Sequence, residues 1–377
     1  MTIRSLVVLL ALAVGVLGVG GSRQGSAATS GDYGILETFA PQSATTWWAI
    51  VDSNLRAKTF VVRTSDGGRR WRDVTPPVRL ISSSDFLGGE VGWVVAGALF
   101  PPKTEPLYRT TDGGRSWRRL ARVPTGCQLD FVDERHGWCA VIGAAAGSST
   151  VRLYRTADGG SSWRLVSRTG LYDADSTRKA LPYGCDKTIT FTSPAVGWAS
   201  SFCNGGSPFL YRSTDGGARW HALARVPLPK GAPTPTGERL SAPVVTGPRL
   251  AVAVEISGNP GATAIATSSN MGRSWRTRLV PGRTKQWRVD LVDTEHWRLT
   301  DGTVLLGTDD GGRHWRRWRP ARTMKDTVGA PLSLSFLSPR VGFAVPDAND
   351  GPLWWTRDDG KTWQPITITA GPFTVPR

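Results

Sequence analysis

Histidine, cysteine and tyrosine are scarce in the 377-residue chain, at four, four and six, and their placement excludes more than their numbers do. No Cys-x-x-Cys occurs, which removes zinc-ribbon and thioredoxin-type chemistry. His136, His221, His296 and His314 each stand beside a recurring Trp or Gly and are never grouped, so no Ser/His/Asp or metal-binding constellation is visible. No metal or cofactor is expected. Beyond residue 28 no apolar run is long enough to span a bilayer. Lysine is also rare, eight against 38 arginines, within a balance of 46 basic and 30 acidic residues and a net charge of +16. What the chain does have is turn chemistry. Its 44 glycines and 26 prolines suit many short strands better than long helices.

The amino-terminal residues read as a targeting segment. Arg4 gives a positive start, Leu6 to Val19 is an apolar run, and Gly25-Ser26-Ala27-Ala28 offers small residues for cleavage, which is the layout of a secretory signal peptide. The expected division is therefore 1–28 as signal and 29–377 as one domain, with a retained anchor as the alternative. Export allows disulfides, and Cys127/Cys139 and Cys185/Cys203 flank two equivalent segments. If each segment is a hairpin, the expected pairs are Cys127–Cys139 and Cys185–Cys203.

One octapeptide, Ser/Thr-x-Asp-x-Gly-x-x-Trp, recurs seven times. Its Asp and Trp positions are Asp66 and Trp71, Asp112 and Trp117, Asp158 and Trp163, Asp215 and Trp220, Asn270 and Trp275, Asp310 and Trp315, and Asp358 and Trp363. Successive Trp residues lie 46, 46, 57, 55, 40 and 48 apart, the period of a propeller blade. The types fit a hairpin turn: a carboxylate to accept turn N–H groups, Gly for positive φ, and Trp to cover the hairpin. Repetition makes these positions scaffold, the fifth carboxylate being replaced by Asn270. A second pattern, Phe-x5-Gly-Trp/Phe, precedes the first at Phe86, Phe131, Phe191 and Phe336, with looser forms at Phe39, Val244 and Leu291. Each repeat then reads as strands a to d, strand a ending near the Phe, strand b from Gly-Trp, strand c ending at the octapeptide and strand d starting at its Trp. The expected fold is all-β: a seven-bladed β-propeller of four antiparallel strands per blade, the octapeptide in each c–d turn, closed by packing of whole blades.

The paired motifs resemble those of the photosystem II stability/assembly factor family of propellers, within the wider Asp-box (BNR) superfamily that includes sialidases, xyloglucanases and the sortilin ectodomain. The resemblance covers nearly everything after Ala28. It implies a protein that binds protein partners or membrane complexes without catalysing a reaction.

The enzyme reading lacks visible parts. The sialidase Arg-Ile-Pro motif is absent, and Tyr108, Tyr154 and Tyr211 share one repeat position. Glycosidases need two opposed carboxylates, for which Asp173, Asp175, Glu238 and Asp347 are loop candidates. Chain length varies between repeats at Leu99–Pro106, Ala144–Thr150, Ser167–Asp186 and Val226–Ala242, all on the face opposite the octapeptides. Tyr172, Asp173, Asp175, Tyr183 and Lys230 are the candidate binding-loop residues there. Arginines crowd the octapeptides, from Arg69 and Arg70 to Arg316, Arg317 and Arg319, forming a basic rim suited to an anionic polymer, lipid head groups or an acidic protein. The expectation is a monomeric, non-catalytic, secreted or extracytoplasmic scaffold that recognises a protein or anionic cell-envelope partner, with peripheral membrane association and no nucleic acid. The alternatives are an Asp-box glycoside hydrolase with unrecognised catalytic residues and a purely structural envelope protein.

Overall fold

A computed structural model describes residues 34–53, 58–98, 102–145, 148–171, 176–204, 208–282, 287–319, 332–345, 353–370 and 373–375. These residues form strands and turns without a helix. Repeats one, two, three, six and seven each form a four-stranded antiparallel sheet in the order a-b-c-d. Repeat one, for example, runs through Gly34–Pro41, Trp47–Ser53, Lys58–Thr64 and Arg72–Asp73. Repeats four and five share one nine-stranded sheet. They join because Gly237–Leu240 pairs with Phe202–Asn204 of repeat four and also with Val254–Ser257 of repeat five. Strand a of repeat five is broken, resuming at Val244–Thr246 on the same partner strand.

The octapeptide explains why each c–d connection is so short. The hydroxyl residue is buried in all seven copies. In repeat one Thr64 Oγ1 donates to Asp66 Oδ1 at 2.9 Å and accepts the Gly68 N–H at 3.1 Å, while Asp66 Oδ1 accepts the Arg70 N–H at 3.0 Å. Gly68 has φ +83°, and a Cβ there would lie 2.6 Å from the Trp47 ring, so only glycine serves. These bonds favour the ionised carboxyl. The Ser116 hydroxyl and N–H, assisted by Thr110, bring Asp112 down to about 2. At Asp158 burial opposes the charge, yet Ser162 and Thr156 still bring it to about 2. Asn270 reproduces the arrangement without charge: Ser268 Oγ donates to its Oδ1 at 3.0 Å, the Ser274 N–H donates to the same oxygen at 3.0 Å, and its own Nδ2 donates to Ser274 Oγ at 2.9 Å.

The second pattern builds the interfaces between repeats. Trp93 of strand b stacks on Phe131 of the next repeat, ring centroids 3.7 Å apart, and Arg109 of strand c covers the other face at 5.1 Å. Trp138, Phe191 and Arg155 repeat the sandwich at 3.6 and 5.6 Å, and Trp48, Phe86 and Arg63 at 4.6 and 5.4 Å. The Gly of the motif is needed because the Phe ring lies over it: a Cβ at Gly137 would come within 2.4 Å of Phe131. Burying such a Trp–Phe pair contributes several kcal/mol, of which about 0.5–1.5 kcal/mol is the ring–ring contact itself.

Apolar clusters join each repeat to the next, and Phe343 and Trp355 of repeat seven pack on Phe39 and Trp47 of repeat one. The body is therefore closed. An unforeseen hairpin, Ile368–Ala370 with Phe373–Val375, follows repeat seven, and its second strand lies beside Gly34–Pro41. The Cys127–Cys139 disulfide forms diagonally across strands a and b, Cα atoms 5.2 Å apart. Cys185 is also disulfide-bonded, while the Cys203 side chain lies outside the described residues.

The loop expectations need adjustment. Strands Gly137–Ala145 and Ser148–Thr156 pair along their length, so the ladder between strands b and c runs into the stretch expected as the insertion Ala144–Thr150. Within Leu99–Pro106, strand c has already begun at Thr104. Within Val226–Ala242, Gly237–Leu240 is a strand.

Candidate active site

Strands a of neighbouring repeats meet, and carboxylates link them. Asp85 Oδ2 accepts the Phe131 N–H of the next repeat at 2.5 Å, Asp130 Oδ2 the Phe191 N–H at 2.6 Å, and Asp290 Oδ2 the Phe336 N–H at 2.6 Å. Each of these acids pairs in register with the stacked residue of strand b, as Asp85 with Trp93 and Asp290 with Arg298. Their carboxyl groups satisfy inner-edge N–H groups that water would otherwise have to reach, which makes them part of the frame. Burial pushes the Asp290 carboxyl up to about 7, against the Phe336 N–H and the Arg298 charge.

A different pair breaks the repeat. Glu37 stands at a bulge in strand a of repeat one, between Leu36 and Thr38, and Asp52 lies on the adjoining strand b opposite Ile35. Leu36 packs toward repeat seven and Ile50 toward repeat two, so strand alternation puts Glu37 and Asp52 together on the face toward repeat two. Both lie toward the end of the sheet away from the octapeptide turn, to which the Thr45 carbonyl is tied through the Gly67 N–H. Burial raises the Glu37 carboxyl, and the Asp52 charge raises it further. Burial raises Asp52 too, opposed by a hydrogen bond from the Ser53 backbone. Asp52 Oδ1 is buried and accepts no hydrogen bond from the described residues. Burial thus disfavours the anion at both of these neighbouring carboxyl groups, most at Glu37 where the Asp52 charge adds to it, which is the kind of environment in which carboxyls hold or move a proton. Sequence reading missed them because Glu37 falls in the loose first copy of the Phe motif. The usable signal was a carboxylate inside an otherwise apolar strand.

Other buried groups are occupied structurally. Lys187 Nζ donates to the Gly184 and Cys185 carbonyls and to both oxygens of Ser149, with burial lowering it to about 8 against the pull of Asp186. Glu105 accepts from Ser82 Oγ at 3.0 Å. Three histidines brace their own turns: His136 on Asp133 at 2.9 Å, His296 on Asp293 at 2.8 Å and His314 on Asp310 at 2.6 Å.

Of the candidate loop residues, Tyr183 and Lys230 are exposed, whereas Tyr172, Asp173 and Asp175, together with Asp347, lie outside the described residues. Glu238 is buried within a paired strand, so it is no loop carboxylate. Tyr108, Tyr154 and Tyr211 pack against the inter-repeat cores. The rim arginines are exposed, Arg69, Arg118, Arg219, Arg276 and Arg317 among them.

Neither a protein-family model nor a curated protein matches the sequence, so the assembly-factor resemblance gains no support. Solved structures do match. A prolyl endopeptidase superposes with a TM-score of 0.58 at 9% identity over 88% of this chain and 49% of its own. The chain thus spans about half the length of that structure. An α-L-arabinanase of Penicillium chrysogenum, complexed with arabinobiose, gives 0.44 at 14% identity over 75% and 92%. An α-L-arabinofuranosidase of Fusarium graminearum gives 0.43 at 13% identity over 71% and 88%. At these identities the likeness is one of fold, a β-propeller. The expectation of a non-catalytic scaffold and of no enzyme is corrected to this extent: the structure matched over 88% of the chain is an enzyme, and the likeness to it is of fold alone. Repetition identifies the residues of the frame, and what is particular to this chain is sought among the residues that depart from the repeat.

Proposed function

We propose that this protein is a secreted, seven-bladed Asp-box propeller acting as a glycoside hydrolase on an oligosaccharide, with Glu37 as general acid and Asp52 as its ionised partner. The signal-like segment 1–28 and the Cys127–Cys139 disulfide support export. The seven-blade count follows from treating the nine-stranded sheet as two blades that share an edge. The arabinobiose complex of the Penicillium arabinanase suggests the substrate class. The observation that carries the reading is the Glu37/Asp52 pair, brought to one face by the bulge and the strand register; burial opposes ionisation of both carboxyls, the Asp52 charge adds to it at Glu37, and the Ser53 backbone bond partly offsets it at Asp52. In this reading Glu37 gives its proton to the leaving-group oxygen, while Asp52, as the anion, attacks the anomeric carbon or activates water beside it. The exposed arginine rim supports attachment to an anionic envelope polymer, an attraction that salt weakens.

Hydrolysis of arabino-, xylo- and sialo-oligosaccharides by the purified protein tests the assignment. Glu37→Gln is expected to lower kcat by about 10³-fold on natural glycosides and far less on activated aryl glycosides, and Asp52→Asn by a similar factor on both. The pH profile is expected to be bell-shaped, falling as Asp52 gains its proton and as Glu37 loses its own. Unchanged turnover in both folded variants, or no turnover of any glycan by the parent, rejects it.

A further inference from the structure

Among the inter-repeat interfaces, the one between repeats five and six has lost every part of the sandwich. Register assigns the positions. Ala251 pairs with Thr267 where Trp93 pairs with Arg109, and Leu291 pairs with Trp297 where Phe131 pairs with Gly137. The inner carboxylate is gone too, Val244 facing Ala251 where Asp85 faces Trp93. Where the sandwich exists, the arginine head fills the space against the next octapeptide: a Cβ on Gly159 would lie 2.4 Å from Arg109 Nη1, and one on Gly216 2.6 Å from Arg155 Nη1. At Gly311, the equivalent position in repeat six, the nearest atom is the Thr294 carbonyl oxygen at 3.7 Å. A cleft of about 420 Å³ opens there, lined by Thr267, Gly311 and four arginines, Arg249, Arg276, Arg278 and Arg313. Arg276 and Arg278 alternate on one strand beside Thr267 and Ile265, and Ile265 packs toward repeat six, so both arginines project along the cleft wall. Glu295 holds Arg249 at 2.5 Å. Ser269, Ser274 and Trp275 also line it.

The geometry points to a binding site for an acidic saccharide, a uronate-bearing oligomer, in this cleft. The volume suits a small ligand. Arginine forks match a carboxylate, and the remaining polar groups are hydroxyls and two carboxylates, which serve sugar hydroxyls. Glu295 and Asp310 on the same lining would repel a dense polyphosphate. The site lies on the octapeptide side of the body, away from Glu37 and Asp52, and stands independently of the hydrolase reading.

Calorimetric titration of the full chain with trigalacturonate is the test, with maltotriose and inositol hexakisphosphate as comparison ligands. Trigalacturonate is expected to bind at least about tenfold more tightly than either. The double variant Arg276→Gln/Arg278→Gln is expected to weaken it by about tenfold or more, as is Thr267→Phe, which fills the cleft without changing charge; the melting temperature should hold in both. Absence of trigalacturonate binding overturns the proposal. So does equal binding of maltotriose, tighter binding of the polyphosphate, or parent-like affinity in both folded variants.

Discussion

The interface between repeats two and three and that between repeats five and six are built from the same strand positions, with opposite contents. In the first, Trp93 lies between Phe131 and Arg109, with Asp85 bridging the a strands beneath. In the second, Ala251, Leu291, Thr267 and Val244 take those places. Both interfaces bury apolar surface, so the body closes through either. The difference teaches that the sandwich is a filler of inter-repeat volume, and that removing it converts a structural seam into an open, polar cleft without breaking the ring.

The sharpest way to break this comparison is Trp93→Ala, which makes the filled interface resemble the open one without its compensating packing. The ring is fully buried and stacked, so the expected loss is roughly 3–5 kcal/mol in denaturant unfolding. A loss under about 1 kcal/mol would mean that the sandwich is dispensable wherever it occurs.

Asp290→Asn probes the inner links that the interface between repeats five and six lacks. The Asp290 carboxyl is raised to about 7. A carboxyl that titrates higher in the folded state than in the unfolded one supports the fold while protonated, and that support fades as pH climbs from about 4 through about 7. Asparagine keeps an acceptor for the Phe336 N–H and has no charge to bury. The variant should match the parent near pH 4 and exceed it by up to about 4 kcal/mol above about pH 7. Parallel melting-temperature curves against pH would show that Asp290 does not titrate in this range.

The smallest effect is expected from the arginine position. Arg109→Ala removes a guanidinium stacked on Trp93 and an ion pair to an exposed Glu134, a loss of about 1 kcal/mol. Thr267→Arg places the same side chain over Ala251, with no ring beneath it, and should change stability by less than about 0.5 kcal/mol. Equal effects in thermal unfolding would remove the distinction between the two interfaces.

The frame was legible because its constraints are local and repeated. Thr64, Asp66, Gly68 and Trp71 lie within one turn and recur at a near-constant interval, and the Phe–Gly–Trp spacing encodes a ring lying over a glycine. The cross-repeat sandwich was only half visible. The Phe and Trp positions stand in the motif, yet the Phe that stacks on a given Trp comes from the following repeat, 38 residues on in the case of Trp93 and Phe131. Glu37 and Asp52 were invisible for the opposite reason. Their meeting depends on a bulge and on strand register, and no motif marks either residue. The cleft required a comparison of register positions, since Ala251 and Thr267 look unremarkable until aligned with Trp93 and Arg109.

Asn270 carries one more consequence. The carboxylates of Asp112 and Asp158 are held near 2 by their turns, so what they add to the fold is present above about pH 4 and drains away as acidity carries them through about pH 2. An amide has no proton to gain in that range. The hairpin of repeat five is thereby indifferent to acid, and the wall of the cleft that it supports should keep its shape in surroundings sour enough to discharge its neighbours.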